Sequence, residues 1–257
     1  MCSLIVTALL ACSLIMILVW CWSYKIKNAG IVDIFWSYNF PVIAVILFFL
    51  ADGFHTRKAL ICGMVIVGGL RLGTHLMIRV LGHLHEEDGR YKQLRQEWAP
   101  HAERKLFWFF QAQGLSNVLL AIPFFIIAVN KAETISVLEY AAVGLWAISI
   151  AGEAIADKQL QLFKKHNKGK VCDAGLWNYS RHPNYFFQWL MWVSYAVFAL
   201  ASPYGYLGLI SPAIILYLLL RVTGIPATEE QSLRSKGEAY KQYQQRTSAF
   251  IPWFHKK

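Results

Sequence analysis

The chain has 257 residues, of which 56% are hydrophobic, 15% aromatic and only 16% charged. Soluble domains carry about 25% charged residues, so this composition excludes an ordinary soluble protein and indicates an integral membrane protein. The net charge of +10 is explained by basic loops that attract anionic lipid headgroups, and no motif favours nucleic acid as a partner.

Seven apolar runs approach the roughly 20 residues that a helix needs to cross a bilayer. In chain order they cover residues 4–22, 34–50, 59–78, 115–129, 135–154, 184–200 and 206–220. Little of the chain remains outside them. We therefore expect an all-α, polytopic fold of about seven transmembrane helices, with residues 1–257 forming a single integral membrane domain.

The distribution of basic residues predicts the orientation. With seven spans, 21 of the 25 Lys and Arg residues fall on one side of the membrane and three on the other, and Arg71 lies within a span. Loops rich in Lys and Arg stay in the cytosol. We therefore expect the N-terminus outside and the C-terminus in the cytosol.

The second apolar run begins with a carboxylate. Asp33 stands where it can cap the free amides of the helix and meet its positive dipole end. It can equally contact a substrate or cofactor, because Asp33, Trp36 and Ser37 share one helical face. The sequence leaves both interpretations open.

The third run carries a polar stripe. Arg71, His75 and Arg79 recur at four-residue steps and therefore lie on one face of the helix. Two arginines on such a face suit a phosphate. Snorkelling to the cytosolic surface would account for Arg79, but it accounts less well for Arg71.

The next loop contains an HxH pattern. His83 and His85 lie beside Glu86, Glu87 and Asp88, which raises the question of a metal site. The histidines are adjacent in a loop and no second His or Cys cluster accompanies them, so we predict no metal. Residues 87–98 are better interpreted as an ordered loop that packs over a site.

Two acids, Glu153 and Asp157, lie one helical turn apart where the fifth run ends, and several lysines follow at 158–170. The acids could bind ribose hydroxyls or an amide, and the lysines suit phosphates as point charges. An ordinary positive-inside loop would explain the lysines, but it explains Glu153 poorly.

The most informative segment, residues 175–185, reads GLWNYSRHPNY. It places a cation, an imidazole, an amide and two phenols at the mouth of an apolar run, where ionisable groups most often serve binding or catalysis. In the tail, Glu229 and Glu230 follow a proline, and a Tyr-x-x-Tyr-x-x-Arg pattern begins at Tyr240.

Taken together, these motifs resemble the steroid 5-alpha-reductase-like superfamily, and most closely its large bacterial branch. The segments that carry the resemblance lie at 32–36, 71–76, 87–91, 175–186, 240–246 and 250–253. The similarity therefore spans about residues 30–254, and the order of several motifs makes it specific.

The resemblance implies a seven-helix fold that holds NADPH in a cytosol-facing cavity, in a multi-pass protein of the bacterial inner membrane. It implies reduction of a carbon–carbon double bond conjugated to a carbonyl in a lipophilic, sterol- or lipid-like substrate. The cofactor supplies a hydride, and the protein orients it and stabilises the developing charge. Membrane lipids are the other expected partners.

Residue by residue, Asn184 matches the family's nicotinamide-side asparagine, and Asp157 matches an acid near the cofactor. Lys164 and Lys170 stand where the animal enzymes place cofactor-binding arginines. The full set of expected cofactor-binding residues is Arg71, His75, Asp157, Lys164, Lys170, Arg181, His182, Asn184, Tyr185 and Glu229.

Two departures concern the substrate side of the expected site. The family commonly continues Asn-Tyr-Phe-Gly-Glu, whereas here Gln188 replaces the glutamate, and an amide cannot donate a proton as an acid does. The sequence also lacks the Gln-Glu pair with a partnered Tyr that polarises the ketone in the animal steroid enzymes. The candidate catalytic residues are Asp33, Tyr38, Glu153 and Gln188.

Two other functions remain open. Membrane methyltransferases of the isoprenylcysteine and phospholipid types also carry Arg-His-Pro-x-Tyr, a Glu-Glu pair such as Glu229–Glu230, and a Tyr-x-x-Tyr-x-x-Arg tail. In those enzymes the acids would hold the cationic sulfonium of S-adenosylmethionine. The remaining alternative is a non-catalytic, lipid-binding protein of the same fold. The N-terminal motifs at Asp33, Arg71 and His75 favour the reductase.

Overall fold

The computed structural model describes residues 1–82 and 84–254 and is built from helices throughout this part of the chain. Its α-helices are α1 (Cys2–Ile26), α2 (Ile31–Leu50), α3 (His55–Leu81), α4 (Gly89–Glu97), α5 (Ala102–Leu120), α6 (Ile122–Ala128), α7 (Val137–His166), α8 (Pro183–Ala199), α9 (Ile210–Tyr217), α10 (Ile225–Lys236) and α11 (Glu238–Arg246). Short 3₁₀ turns lie at Gly175–Asn178 and Gly205–Leu209, and a π-helical turn lies at Leu218–Val222. The all-α prediction is confirmed.

Five helices in the described residues are long and apolar enough to cross a membrane. They are Cys2–Ile26, Ile31–Leu50, His55–Leu81, Val137–His166 and the run Gly205–Lys236. A sixth span arises if the bent pair α5 and α6, which meet at 43°, is counted as one. These helices are compatible with an integral membrane protein.

The expected span at 184–200 forms helix α8, which has 17 residues. At 1.5 Å per residue its length is about 25 Å, slightly short of a hydrocarbon core about 30 Å thick. Helix α7, by contrast, continues 12 residues beyond the expected end at 154, and three basic residues in its last turn favour the negative end of the helix dipole. Asp157 and Lys164 therefore lie on this helix.

The helices form two compact units, a first unit of Met1–Ile135 with Ser202–Leu207 and a second unit of Ser136–Ala201 with Gly208–Lys257. In the first unit, α1, α2 and α5 enclose a core that includes Met16, Ile31 and Phe110. A single membrane domain over residues 1–257 stays a prediction.

Close helix contacts in the first unit depend on small residues. A Cβ atom on Gly69 of α3 would lie 2.4 Å from the Pro41 ring, and one on Gly73 would lie 2.3 Å from the Tyr38 ring. Helices α2 and α3 can therefore approach closely, as is typical of membrane helices. Between α2 and α5, the buried amide of Asn39 donates to Asn117 at 2.8 Å.

One end of the first unit contains sequestered cations. The buried Arg57 guanidinium donates to the carbonyl oxygens of Ala132 and Thr134, the latter at 2.5 Å. The neighbouring Lys58 donates to the Ala51 carbonyl at 2.5 Å, at the end of α2. Arg57 thus satisfies loop carbonyls, and Lys58 satisfies a carbonyl at the end of α2 that has no helical partner.

Candidate functional site

The segment 175–185 lies in the second unit, between α7 and the start of α8. Gly175 adopts a φ of +61°, and a Cβ atom there would meet the Gln159 side chain at 2.6 Å. The Gln159 side-chain oxygen accepts a hydrogen bond from the Leu176 amide at 2.9 Å, and the Trp177 indole donates to the Ala156 carbonyl at 2.9 Å. These contacts fix the segment on α7.

Arg181 is at the centre of the site. Its Nε atom donates to Glu229 Oε1 at 2.6 Å, and its Nη1 atom donates to the carbonyl oxygens of Thr247 at 2.6 Å and Gln244 at 2.9 Å. The side chain is only 10% exposed. Arg181 therefore binds the acid of α10 and the main chain at the end of α11.

Both carboxylate oxygens of Glu229 have partners. Besides Arg181, Oε1 lies 3.3 Å from Nε2 of the buried His182, and Oε2 accepts from the Gln244 amide at 2.9 Å. His182 stacks on the Tyr185 ring, with ring centroids 5.4 Å apart and planes 8° apart. The structure thus brings together Arg181, His182, Tyr185 and Glu229, four of the expected cofactor-binding residues.

The end of the chain folds back along the motif. The Arg181 amide donates to the Ser248 carbonyl at 2.8 Å, and the Trp253 amide donates to the Tyr179 carbonyl at 2.9 Å. The fully buried Ser180 hydroxyl donates to the Phe250 carbonyl at 2.8 Å and accepts from the His182 amide at 3.1 Å. We call residues 243–254 the tail strap, because they hold the motif mainly through main-chain hydrogen bonds.

Tyr243, at the start of the tail strap, is buried and donates its hydroxyl to the Trp177 carbonyl. Burial raises the pKa of this phenol well above its ordinary value. The Tyr-x-x-Tyr-x-x-Arg pattern drew attention to Tyr243 and to Arg246, which pairs with Asp173. The carbonyl partners of Arg181 and Ser180 had no sequence signal, because every residue type has a carbonyl.

Asn184 and Asp157, both expected near the cofactor, are joined directly. The Asn184 amide donates to Asp157 Oδ1 at 3.1 Å, between the start of α8 and the last third of α7. Glu153 is buried one turn before Asp157. Gln188 is half-buried, one turn after Asn184 on α8. These residues share the α7–α8 side of the second unit.

Lys164 and Lys170 are both exposed near the end of α7 and in the loop after it. Lys164 is close enough to Lys236 and Cys172 to influence them electrostatically. Burial raises the pKa of the Cys172 thiol, and the two lysines partly oppose that effect. This end of the second unit thus offers accessible positive charge, and the residues present fit a phosphorylated ligand.

In the first unit, the Tyr91 hydroxyl donates to Asp33 Oδ1 at 2.7 Å. Tyr91 is buried, and burial, together with the negative charge of Asp33, raises its pKa well above the ordinary value. The N-cap of α2 is Gly30, and it has no side-chain capping bond. The Asp33 side chain therefore accepts from Tyr91 rather than capping the helix. Tyr91 was a residue of the expected loop, and its partnership with Asp33 was missed.

Tyr91 lies in helix α4, so most of residues 87–98, expected as a loop, are helical. Glu87 accepts from the Ala29 amide at 2.8 Å and from Arg95 Nε at 2.9 Å, and Arg95 also donates to Glu103 at 2.6 Å. His83 lies outside the described residues. Among the described residues, no group of His, Cys, Asp and Glu is arranged to hold a metal ion.

The other expected residues of the first unit are on α2 and α3. The Tyr38 ring packs on Gly73, and its hydroxyl lies 3.3 Å from Thr74 Oγ1. Arg71 is half-buried and His75 is exposed. Tyr38 thus contributes to the contact between these helices.

Residues 19–247 match a family described as "Protein of unknown function (DUF1295)". The chain belongs to the DUF1295 family. The match contains the whole Arg181–Glu229 site and the Asp33–Tyr91 pair, but it ends before the last residues of the tail strap. No curated protein and no solved structure matches the chain.

Proposed function

We propose that this protein is an NADPH-dependent membrane reductase. It reduces a carbon–carbon double bond conjugated to a carbonyl group in a lipophilic substrate. We further propose about seven membrane spans, an external N-terminus and a cytosolic C-terminus, in a multi-pass protein of the bacterial inner membrane. The resemblance to the steroid 5-alpha-reductase-like superfamily and the distribution of basic residues support this proposal.

One observation favours NADPH over S-adenosylmethionine. A sulfonium cation would need the free negative charge of the Glu229–Glu230 pair. Instead, Glu229 is held by Arg181, His182 and Gln244, and Glu230 pairs with Arg234 at 2.5 Å. Lys164 and Lys170, by contrast, are exposed, and their positive charge suits phosphates.

The proposed roles follow from the contacts within each unit. In the second unit, Asn184, oriented by Asp157, would bind the nicotinamide amide, and Lys164 and Lys170 would bind phosphates. Bound NADPH would supply the hydride. Arg181 and Glu229 neutralise each other, so we assign them to the architecture of this site rather than to charge recognition.

In the first unit, the Asp33–Tyr91 pair is our candidate for polarising the carbonyl. The Tyr91 hydroxyl, which Asp33 orients by accepting its hydrogen bond, would donate instead to the carbonyl oxygen of a bound substrate. The raised pKa of Tyr91 keeps this phenol protonated at neutral pH. Gln188, Glu153 and Tyr38 stay as further candidates.

Calorimetry on the detergent-purified protein tests the cofactor. We expect NADPH to bind and S-adenosylmethionine to give no heat of binding. Asn184→Ala and Lys170→Ala should each weaken NADPH binding, whereas Lys131→Ala, which changes an exposed lysine in the first unit, should leave it unchanged. Binding of S-adenosylmethionine alone would assign the protein to the methyltransferases, and binding of neither would favour a lipid-binding role.

A further inference from the structure

A groove of about 500 Å³ runs along the second unit between α7 and α8. Its apolar walls and its polar end include Ile148, Ala151, Gly152, Ile155, Phe187 and Gln159. Five of these six residues lie on α7, at spacings of three and four, so they form one stripe along that helix. The stripe from Ile148 to Gln159 is about 16 Å long at 1.5 Å per residue, about half the thickness of a bilayer's hydrocarbon core.

The groove has a definite shape. A Cβ atom on Gly152 would lie 2.5 Å from the Phe187 ring, so this ring rests directly on the backbone of α7 and forms one wall. Ile148 and Ile155 are largely exposed on the other side. Ala151, which has only a methyl side chain, forms the floor between these walls. The result is an open, mainly apolar groove along α7.

The two ends of the groove differ in polarity. Its apolar end is at Ile148, in the middle of a helix long and apolar enough to cross a membrane. At the other end, Gln159 and the backbone of Gly175 and Leu176 contribute polar groups. A ligand of matching form has a long apolar part and a polar head.

One exposed cation lies close to the polar end of the groove. Lys158 is exposed and follows the lining residue Ile155 by three positions, which makes the two side chains neighbours on the helix surface. The nearby acids have partners of their own: Asp157 accepts from Asn184, and Asp173 pairs with Arg246. A ligand head in this position would meet a cation.

We propose that this groove binds one hydrocarbon chain of an anionic membrane lipid, with its charged head beside Lys158. The apolar walls on a membrane-length helix select a hydrocarbon chain, and the lysine selects a negatively charged head. The residues that line the groove are not among the proposed NADPH contacts, and its test requires no nucleotide. The result of this test therefore does not bear on the reductase proposal, which is tested by nucleotide binding.

The test compares two lipids with identical chains, dioleoyl phosphatidylglycerol (anionic) and dioleoyl phosphatidylcholine (zwitterionic), added to the purified protein in detergent. We expect the anionic lipid to raise the melting temperature more than the zwitterionic one, because a ligand that binds the native state stabilises it. Equal shifts with the two lipids, or no shift with either, would overturn the proposal.

A matched pair of variants locates the effect. Ala151 and Ala154 are both exposed on α7, but only Ala151 lines the groove. Ala151→Trp fills the groove and should abolish the shift produced by the anionic lipid, whereas Ala154→Trp should retain it. A full shift in Ala151→Trp would refute the site.

Lys158→Gln provides an independent test that does not alter the groove walls. It should remove the preference for the anionic lipid and leave the response to the zwitterionic lipid unchanged, whereas Lys241→Gln, in α11, should behave as wild type. If Ala151→Trp does not fold, an unchanged preference in Lys158→Gln refutes the proposal. Melting that depends on protein concentration rather than on lipid would assign the groove to a second copy of the chain, which also refutes it.

Discussion

The ion pair between Arg181 and Glu229 has a surface counterpart that allows a controlled comparison. The buried pair is 10% and 15% exposed, whereas the Arg234–Glu230 pair is 78% and 64% exposed. Breaking a buried pair leaves an uncompensated charge that is costly to keep out of water. An exposed pair loses little, because water replaces the partner.

We therefore expect Arg181→Ala to reduce the free energy of unfolding by about 3 kcal/mol and Arg234→Ala by less than about 0.5 kcal/mol. Arg181→Lys should remain destabilising, because an ammonium cannot reproduce the fork that contacts Glu229 and two carbonyls. Denaturant unfolding in detergent measures all three variants. Equal effects of Arg181→Ala and Arg234→Ala would contradict the geometry of the site.

Buried phenols outside the spans predict a response to alkali. Burial raises the pKa of Tyr91 and Tyr243 above the ordinary value and that of Tyr240 to about 12. Because the folded protein holds these protons more tightly than the unfolded chain, whose phenols titrate near pH 10, their contribution to stability is present below that pH and is lost above it.

We expect the melting temperature to fall as the pH rises above about 10 and the ultraviolet signal of tyrosinate from these residues to appear only on unfolding. Tyr243→Phe should make the fall less steep, and Tyr204→Phe, at an exposed turn, should not change it. A fall of equal steepness in both variants would show that Tyr243 is not the titrating group.

Among the elements, the contact between α2 and α3 offers two glycines in one helix with opposite surroundings. A Cβ atom on Gly73 would meet the Tyr38 ring, whereas one on Gly63 has no heavy atom within 4 Å. Gly73→Ala should therefore destabilise the protein by about 1–3 kcal/mol through overpacking.

Gly63→Ala should be neutral or stabilising by up to about 1 kcal/mol, because alanine favours the helix more than glycine does. Thermal unfolding of the two variants side by side measures the difference. If Gly73→Ala is as stable as Gly63→Ala, helices α2 and α3 are not in the close contact described.

The helical elements were largely predictable from the sequence, and the details that were missed have physical causes. Apolar runs mark the centres of α1, α2, α3 and α7 because burial and lipid contact need hydrophobic side chains. Hydropathy does not detect where a helix continues into polar sequence, so the last nine residues of α7, 158–166, were expected in a loop. The start of α5 at Ala102, in a charged segment, was missed for the same reason.

The candidate site was predictable in its side chains and not in its main-chain contacts. Unusual residue types at the membrane edge identified Arg181, His182 and Glu229, which the fold brings together. The tail strap acts through the carbonyls of Gln244, Thr247 and Phe250, and a carbonyl leaves no trace in a sequence. The Asp33–Tyr91 bond joins residues 58 positions apart, and only the fold shows that they meet.

For the whole molecule, the few cations on the expected external side all have partners. Arg57 and Lys58 are buried against carbonyl oxygens, and Lys131 pairs with Asp52 at 2.7 Å. Each of these charges thus has a partner within the first unit. The positive-inside rule concerns charges that interact with the cytosolic surface, so these three do not oppose the predicted topology.

Cysteine labelling of cells tests the orientation. In a background in which the five native cysteines are replaced by alanine, Glu133→Cys should react with a membrane-impermeant maleimide added from outside. Lys168→Cys should react only after the membrane is permeabilised. The reverse pattern would invert the topology and place the Arg181 site away from the cytosolic pool of NADPH.

The tail strap also determines when the site can form. Arg181 is synthesised more than 60 residues before Gln244 and Thr247, whose carbonyls it binds. The Tyr179 carbonyl likewise has no donor until Trp253 has been synthesised. During translation the apolar helices can enter the membrane while the Arg-His-Pro segment still has no partner. This site therefore cannot close until residues 243–254 have been synthesised, and a product that stops before Gln244 lacks the carbonyl partners of Arg181.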